Sequence, residues 1–248
     1  MNCVDKELLE RFLPEFIQVE SKTQSDFVNQ IEGELETFLE EFVGVCGEIE
    51  KLKKDEATEF NIFELMRYGH YETRLHTPFL FNLLSPDGTH GQQRLFFDCF
   101  IETFIPEIKK TSEITNICIT EEKGIGDYGR IDILIELQKK GDDFVIIIEN
   151  KINHYETKDQ LSNYYQFLKN TFPADNYIMV LLNKRGTPPN IEFSITTGEY
   201  KELTLKGNLK IISYKRDVVS WLSHCRGKLK APVLKNTLDQ YLRTIKSF

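Results

Sequence analysis

An unbroken apolar run, Phe144-Val145-Ile146-Ile147-Ile148, passes directly into Glu149-Asn150-Lys151. A β-branched run of this length fits a strand covered on both faces. Charge at the end of such a strand is costly unless it is paired or put to use. Residues two apart on a strand project from the same side, so Glu149 and Lys151 share a face. Upstream, Gly129-Arg130-Ile131-Asp132 leads into a second apolar strand over Ile131–Leu137, and Gly141–Asp143 reads as the hairpin turn between the two. Asp132 then becomes a neighbour of Glu149 across the sheet. Two carboxylates meeting there form an oxygen-ligand set suited to Mg²⁺. A lysine beside them can hold or deprotonate a water, or stabilise charge developing on a phosphoryl group.

The triplet E-x-K by itself is uninformative, because it occurs six times, starting at Glu20, Glu107, Glu121, Glu149, Glu156 and Glu199. The strand that runs into Glu149 and the acid that begins the preceding strand single that copy out. The competing reading is an unrelated α/β domain with a structural Asp–Lys–Glu cluster, which would not bind Mg²⁺ or Mn²⁺ in a titration.

The flanking segments supply helices. Residues 5–19 carry Leu8, Leu9, Phe12, Leu13, Phe16 and Ile17 on one amphipathic stripe. From about Ser25 a second helical pattern places Phe27, Ile31, Leu35, Phe38, Phe42, Val45, Ile49 and Leu52 at steps of 4, 4, 3, 4, 3, 4 and 3, close to a heptad seam. Gly44 and Gly47 weaken it. The pair is expected as an acidic helical hairpin packed within the chain or on another subunit, with the polar stretch Lys51–Glu59 as linker. Asn61–Phe104 reads as helix, loop, helix, with Pro78 in a first turn or at a kink, Ser85–Gly91 as loop, and Leu95–Phe104 stopping at Pro106. Strands are expected at Ile114–Thr120, Tyr177–Leu182 and Lys210–Ser213. A turn is expected at Lys123–Gly129, and helices at Thr157–Asn170, Asp217–Cys225 and Val233–Lys246. This order implies one mixed sheet covered by helices.

Of the chain's 248 residues, 40% are hydrophobic and 12% aromatic, enough for a sizeable core. Five scattered cysteines with no CxxC argue against a disulfide framework and a zinc site, and they suit a reducing cytoplasm. The opening MNCVDKELLERF lacks the apolar stretch of a signal peptide, and no apolar run is long enough to span a bilayer. The net charge of −8 is unevenly spread: −10 over residues 1–60, −6 over 61–200 and +8 over 201–248. The basic C-terminal quarter is the part suited to phosphates.

GRID, then ENK, then Gln160-Leu161-Ser162-Asn163-Tyr164 resembles the motif series of the PD-(D/E)XK nuclease superfamily, closest to its RecB-like branch, over roughly residues 61–185. The resemblance implies an α/β fold with a restriction-endonuclease-like core: a mixed central sheet flanked by helices. With the helical and charge patterns before it, the chain is expected to divide into an N-terminal acidic helical arm (1–55) and a nuclease-like domain with basic C-terminal helices (56–248). It makes Asp132 and Glu149 metal ligands, brings the Asn150 main-chain carbonyl near the metal, and makes Lys151 the catalytic lysine. Gln160 and Tyr164, one helical turn apart, would face the site. Such nucleases often carry an acid or histidine on a helix before the sheet. Here Glu72-Thr73-Arg74-Leu75-His76 offers both at i and i+4, and Glu72 is the choice for a third acidic group that orients a metal-bound water or holds a second ion. His90 reads as a loop hydrogen-bonder, and His154 as a phosphate contact. A Pro-Asp pair is replaced by Ile131-Asp132, which removes any basis for assigning restriction-type specificity.

The implied activity is Mg²⁺- or Mn²⁺-dependent hydrolysis of phosphodiester bonds in DNA, in repair or in defence against foreign DNA, by a cytoplasmic protein. The alternative is a non-catalytic member of the same fold that binds nucleic acid or a partner protein. A degenerate member would usually lose the lysine or an acid, and this chain keeps all three. The N-terminal helices are the place for a homo-oligomer or partner contact.

Overall fold

The computed structural model describes residues 6–57, 59–108, 111–139, 143–153, 156–172 and 176–248. His154 and most of the expected Gly141–Asp143 turn lie outside them. The chain divides into two compact units, Met1–Phe60 and Asn61–Phe248.

Among the described residues, the first unit holds one helix, α1 (Lys6–Glu56), of 51 residues. This corrects the expected hairpin and the expected linker from Lys51. The stretch Glu20-Ser21-Lys22-Thr23-Gln24-Ser25 interrupts the apolar stripe but contains neither Gly nor Pro, so nothing stops the backbone ladder. Gly44 and Gly47 do not break it either. A Cβ added at either position would meet nothing within 4 Å, so both lie on the open side of the helix. The apolar side chains along α1, from Phe12 to Leu52, are exposed.

In the second unit, α2 (Ile62–Leu65) and a π-helical turn at Glu72–His76 precede α3 (Thr77–Leu84), which has Pro78 in its first turn. Then come α4 (Leu95–Phe104), β1 (Ile114–Gly124), β2 (Arg130–Lys139), β3 (Phe144–Lys151), α5 (Gln160–Thr171), β4 (Tyr177–Asn183), α6 (Thr197–Lys206), β5 (Leu209–Ser213), α7 (Val219–Lys228) and α8 (Pro232–Lys246). The sheet order is β1-β2-β3-β4-β5. The β1–β2 and β2–β3 pairs are antiparallel, and the β3–β4 and β4–β5 pairs are parallel. The fold is α/β with a mixed central sheet.

Strand alternation separates two cores. Ile146 and Ile148 of β3, with Ile178 and Val180 of β4, face a core with Leu83, Phe97, Trp221 and Tyr241 from α3, α4, α7 and α8. Val145 and Ile147, with Met179 and Leu181, face a second core with Leu161, Tyr165 and Leu168 of α5 and Leu203 of α6. By the same alternation, Glu149 and Lys151 emerge on the α5 side and Asn150 on the other. α6 was not expected from sequence. Its capping box, with Thr196 and Glu199 bonding each other's backbone, starts it, while Leu203 is its only buried side chain.

No helix among the described residues is long and apolar enough to cross a membrane.

Candidate active site

The last paired residues of the β2–β3 ladder are Ile133 and Ile148. One step beyond them the strands splay, and side chains replace the main-chain ladder. The Asn150 N–H donates to Asp132 Oδ2 at 2.7 Å. On the other flank of β3 the parallel register continues, with Glu149 beside Leu181 and Lys151 beside Asn183. The end of β3 is thus fixed from both sides, and the site stands where the antiparallel half of the sheet opens.

Glu149 is 2% exposed and receives three side chains. Lys151 Nζ lies 2.5 Å from its Oε1, Gln160 Nε2 donates to the same oxygen at 2.6 Å, and the Tyr164 hydroxyl donates to Oε2 at 3.0 Å. Gln160 is the first residue of α5 and Tyr164 sits one turn later, their own contact being 3.1 Å. The Tyr164 hydroxyl also meets the Arg130 carbonyl, tying α5 to the start of β2.

Burial is the largest influence on both carboxyls. It raises the Asp132 pKa to about 7, and the negative charge of Glu149 pushes in the same direction. Glu149 is also raised by burial, against the opposing pull of Lys151, Tyr164 and Gln160. Burial works against the charge on Lys151, but Glu149 and Asp132 outweigh it and hold the ammonium above its ordinary value. Two desolvated carboxylates therefore face a single ammonium, an arrangement short of positive charge.

Asp132, Glu149, Lys151, Glu72, Gln160 and Tyr164 line one cavity of about 450 Å³. Six other lining residues were not singled out for the site from sequence: Thr73, Tyr128, Gly129, Arg130, Thr157 and Asn163. Asn163 lies inside the Gln160–Tyr164 motif and was within reach; Tyr128 enters from the expected turn at Lys123–Gly129, whose pattern marks a turn but not a side chain of the site. Glu72 is 6% exposed, and its Oε1 accepts the main-chain N–H groups of Ile152 and, at 2.9 Å, Asn153. It grips the turn that follows Lys151.

One expectation for this region is corrected: Glu72 and His76, at i and i+4, do not share a face. Through the π turn they diverge, and His76 is fully buried, with Nε2 donating to the Gly69 carbonyl at 3.1 Å and Nδ1 accepting from Tyr241 at 2.8 Å. Burial lowers its pKa to about 4, so it is a neutral core histidine. The basic C-terminal quarter is less free than its charge suggests, since Lys206, Lys210, Arg216 and Arg226 are ion-paired with Glu202, Glu107, Asp217 and Asp239. His90, by contrast, holds its loop through the Ser85 carbonyl and the Gln92 N–H, as expected.

The Asn150 side chain points away from the cavity. It donates to Thr77 at 3.0 Å and accepts from the Tyr214 hydroxyl at 2.9 Å, wholly buried. A second cavity of about 380 Å³ shares Lys151 with the first and is lined by Asn153, Lys184 and Arg185. Lys184 and Arg185 follow directly on the apolar strand β4, the same signal that marked Glu149 and Lys151. Among the described residues, no three His, Cys, Asp or Glu side chains are grouped closely enough to hold a metal ion by themselves.

A sequence model of the PD-(D/E)XK nuclease superfamily matches residues 60–243. None of the curated proteins matches the chain. Among solved structures, the chain is similar to the MspJI restriction endonuclease in complex with a 27-mer oligonucleotide, at 12% identity and a TM-score of 0.31, over 74% of this chain. It spans 34% of the length of that enzyme's chain, and at this distance the likeness bears on neither substrate nor mechanism.

Proposed function

Because the chain belongs to the PD-(D/E)XK nuclease superfamily, we propose that it is a divalent-metal-dependent nuclease that hydrolyses phosphodiester bonds in DNA, with Asp132, Glu149 and Lys151 at the centre of its active site. The observation that carries this reading is the meeting of a buried carboxylate, Glu149, and a half-buried one, Asp132, both with raised proton affinity, around one ammonium at the open end of two neighbouring strands. Hard oxygen donors short of positive charge fit Mg²⁺ or Mn²⁺. Asp132 and Glu149 would hold the ion, with the Asn150 main-chain carbonyl near it and Glu72 as a third acidic group. When bound, the cation supplies Lewis-acid stabilisation of charge on the phosphoryl oxygens.

The chain's own groups do the remaining work. Asp132 is held in place by the Asn150 N–H, and Glu149 by Tyr164 and Gln160. With the cation on the carboxylates, Lys151 is the group available to steady the attacking water or the developing phosphoryl charge. Glu72 keeps Lys151 aimed by fixing the two amides that follow it. Lys184 and Arg185, in the adjoining cavity, extend a basic path for the phosphate backbone. The double engagement of Glu149 by Gln160 and Tyr164 supports a place near the RecB-like branch. Repair, or defence against foreign DNA, is the role proposed for such an activity.

The test is incubation of purified protein with linear and circular DNA, with and without Mg²⁺ or Mn²⁺. Cleavage is expected only with the cation and is expected to stop with EDTA. Absence of cleavage of single- and double-stranded DNA and RNA under both cations would replace this reading with that of a non-catalytic binding module.

A further inference from the structure

Residues 28–52 of α1 (Lys6–Glu56) hold four consecutive pairs of heptad core positions, all apolar. Val28, Leu35, Phe42 and Ile49 occupy position a, and Ile31, Phe38, Val45 and Leu52 occupy position d. These eight side chains are between 46% and 60% exposed. A seam with a period of 3.5 residues, sustained for about 37 Å at 1.5 Å per residue, matches another helix wound round it in a left-handed supercoil. A helix packed on its own domain would instead follow the 3.6 period.

We propose that the occupant is a second copy of this chain, joined in parallel and in register through residues 28–52. The flanking charges suit self-pairing in one orientation. Position g carries Glu34, Glu41 and Glu48, and position e carries Glu32, Leu39, Cys46 and Lys53. In a parallel pair each g residue faces the e residue five places on in the second copy. Glu34 then meets Leu39, Glu41 meets Cys46, and Glu48 meets Lys53, so no like charges are opposed and one pair attracts. In an antiparallel pair with the same core layers, g faces g. Glu34 then opposes Glu48, and Glu41 opposes its own copy, so glutamates repel along the seam. The acids Glu36, Glu40 and Glu50 fall at outer positions, as do Gly33, Gly44 and Gly47, where an added Cβ would meet nothing within 4 Å. Those three acids therefore stay in water in either orientation.

Sedimentation equilibrium of the full-length protein without DNA tests this. The expected mass is twice the 29.0 kDa of the chain, and a monomer or a trimer would overturn the proposal. The double variant Leu35→Glu/Phe42→Glu should sediment as a monomer with unchanged Trp221 fluorescence, since that sole tryptophan is buried in the other unit. A variant that stays dimeric overturns the seam. Orientation is read without disrupting the helix, by placing Leu35→Cys in a Cys3→Ser/Cys46→Ser/Cys118→Ser background. A parallel pair brings the two introduced thiols together, so mild oxidation should give a disulfide-linked dimer on a non-reducing gel. In the antiparallel layers Leu35 faces Val45, and no such link would form.

Discussion

The carboxylate of Asp132 accepts the main-chain N–H of Asn150 at 2.7 Å, just past the point where the β2–β3 ladder ends. One side chain therefore has two duties: it closes the hairpin and it supplies an oxygen to the site. The duties separate by substitution. Asp132→Asn keeps an acceptor for the amide, so at about pH 4, where the folded carboxyl still holds its proton, the metal-free protein should melt within about 1 kcal/mol of wild type. It should nevertheless lose Mn²⁺ binding by isothermal titration, and cleavage with it. Asp132→Leu strands a buried N–H and should cost a further 1–3 kcal/mol or so. Equal melting losses in both variants would show that the hydrogen bond is immaterial.

Lys151→Ala should leave Mn²⁺ binding intact or somewhat tighter, because a like charge beside the cation is removed. Cleavage should fall by roughly 10²–10³, the usual cost of losing one group that stabilises transition-state charge. A nicking assay paired with the titration distinguishes this from loss of the metal. If affinity for the ion collapses in parallel with rate, the lysine is structural.

Tyr164→Phe preserves the ring in its core but removes the hydroxyl that holds Glu149 and reaches the Arg130 carbonyl. Outer contacts of this kind typically tune affinity or activity by about 10- to 100-fold. That loss is expected here, read as a shift in the Mn²⁺ concentration giving half-maximal cleavage. An unchanged metal dependence would remove Tyr164 from the site.

Stability of the metal-free protein should depend on pH through two groups of opposite sense. Asp132 sits at about 7 when folded against an ordinary 3.8, so the native state keeps a proton that the unfolded chain releases. Its contribution is complete below pH 3.8 and is lost as pH rises to about 7. His76 sits at about 4 against an ordinary 6.5, so its contribution is complete above pH 6.5 and is lost as pH falls to about 4. Thermal midpoints measured in EDTA from pH 4 to 8 should decline less with rising pH in Asp132→Asn than in wild type. Parallel curves for the two proteins would refute the raised carboxyl.

The sheet and the centre of the site were legible because strand chemistry is local. A β-branched run ending in charges fixes a buried strand, and the two-residue period then fixes which charges share a face. Asn150 fell between them by the same rule, which is why its side chain meets Tyr214 and Thr77 instead of the cavity. What was not legible depended on absent punctuation or on tertiary contact. The polar stretch around Glu20–Ser25 suggested a turn but contained no breaker, and α1 runs through it. The π turn at Glu72–His76 carries no mark in the sequence, so two residues at helical spacing were grouped although they serve different surroundings. α6 escaped because Leu203 is its only buried side chain.

The alternation along β3 also bears on how this gene can tolerate change. Every residue from Val145 to Asn150 is buried on one face or the other, so the strand has no slack in which an extra residue could be hidden. Inserting or deleting one codon between Val145 and Ile148 would rotate everything downstream of it by half a turn. Glu149 and Lys151 would be driven into the isoleucine-rich core, and the amide of Asn150 would be turned out into the cleft. Substitutions here can be graded, but length is all or nothing. A library of single-residue indels scored for folding should therefore show a sharp blank over β3, while point variants at the same positions survive in proportion to their volume.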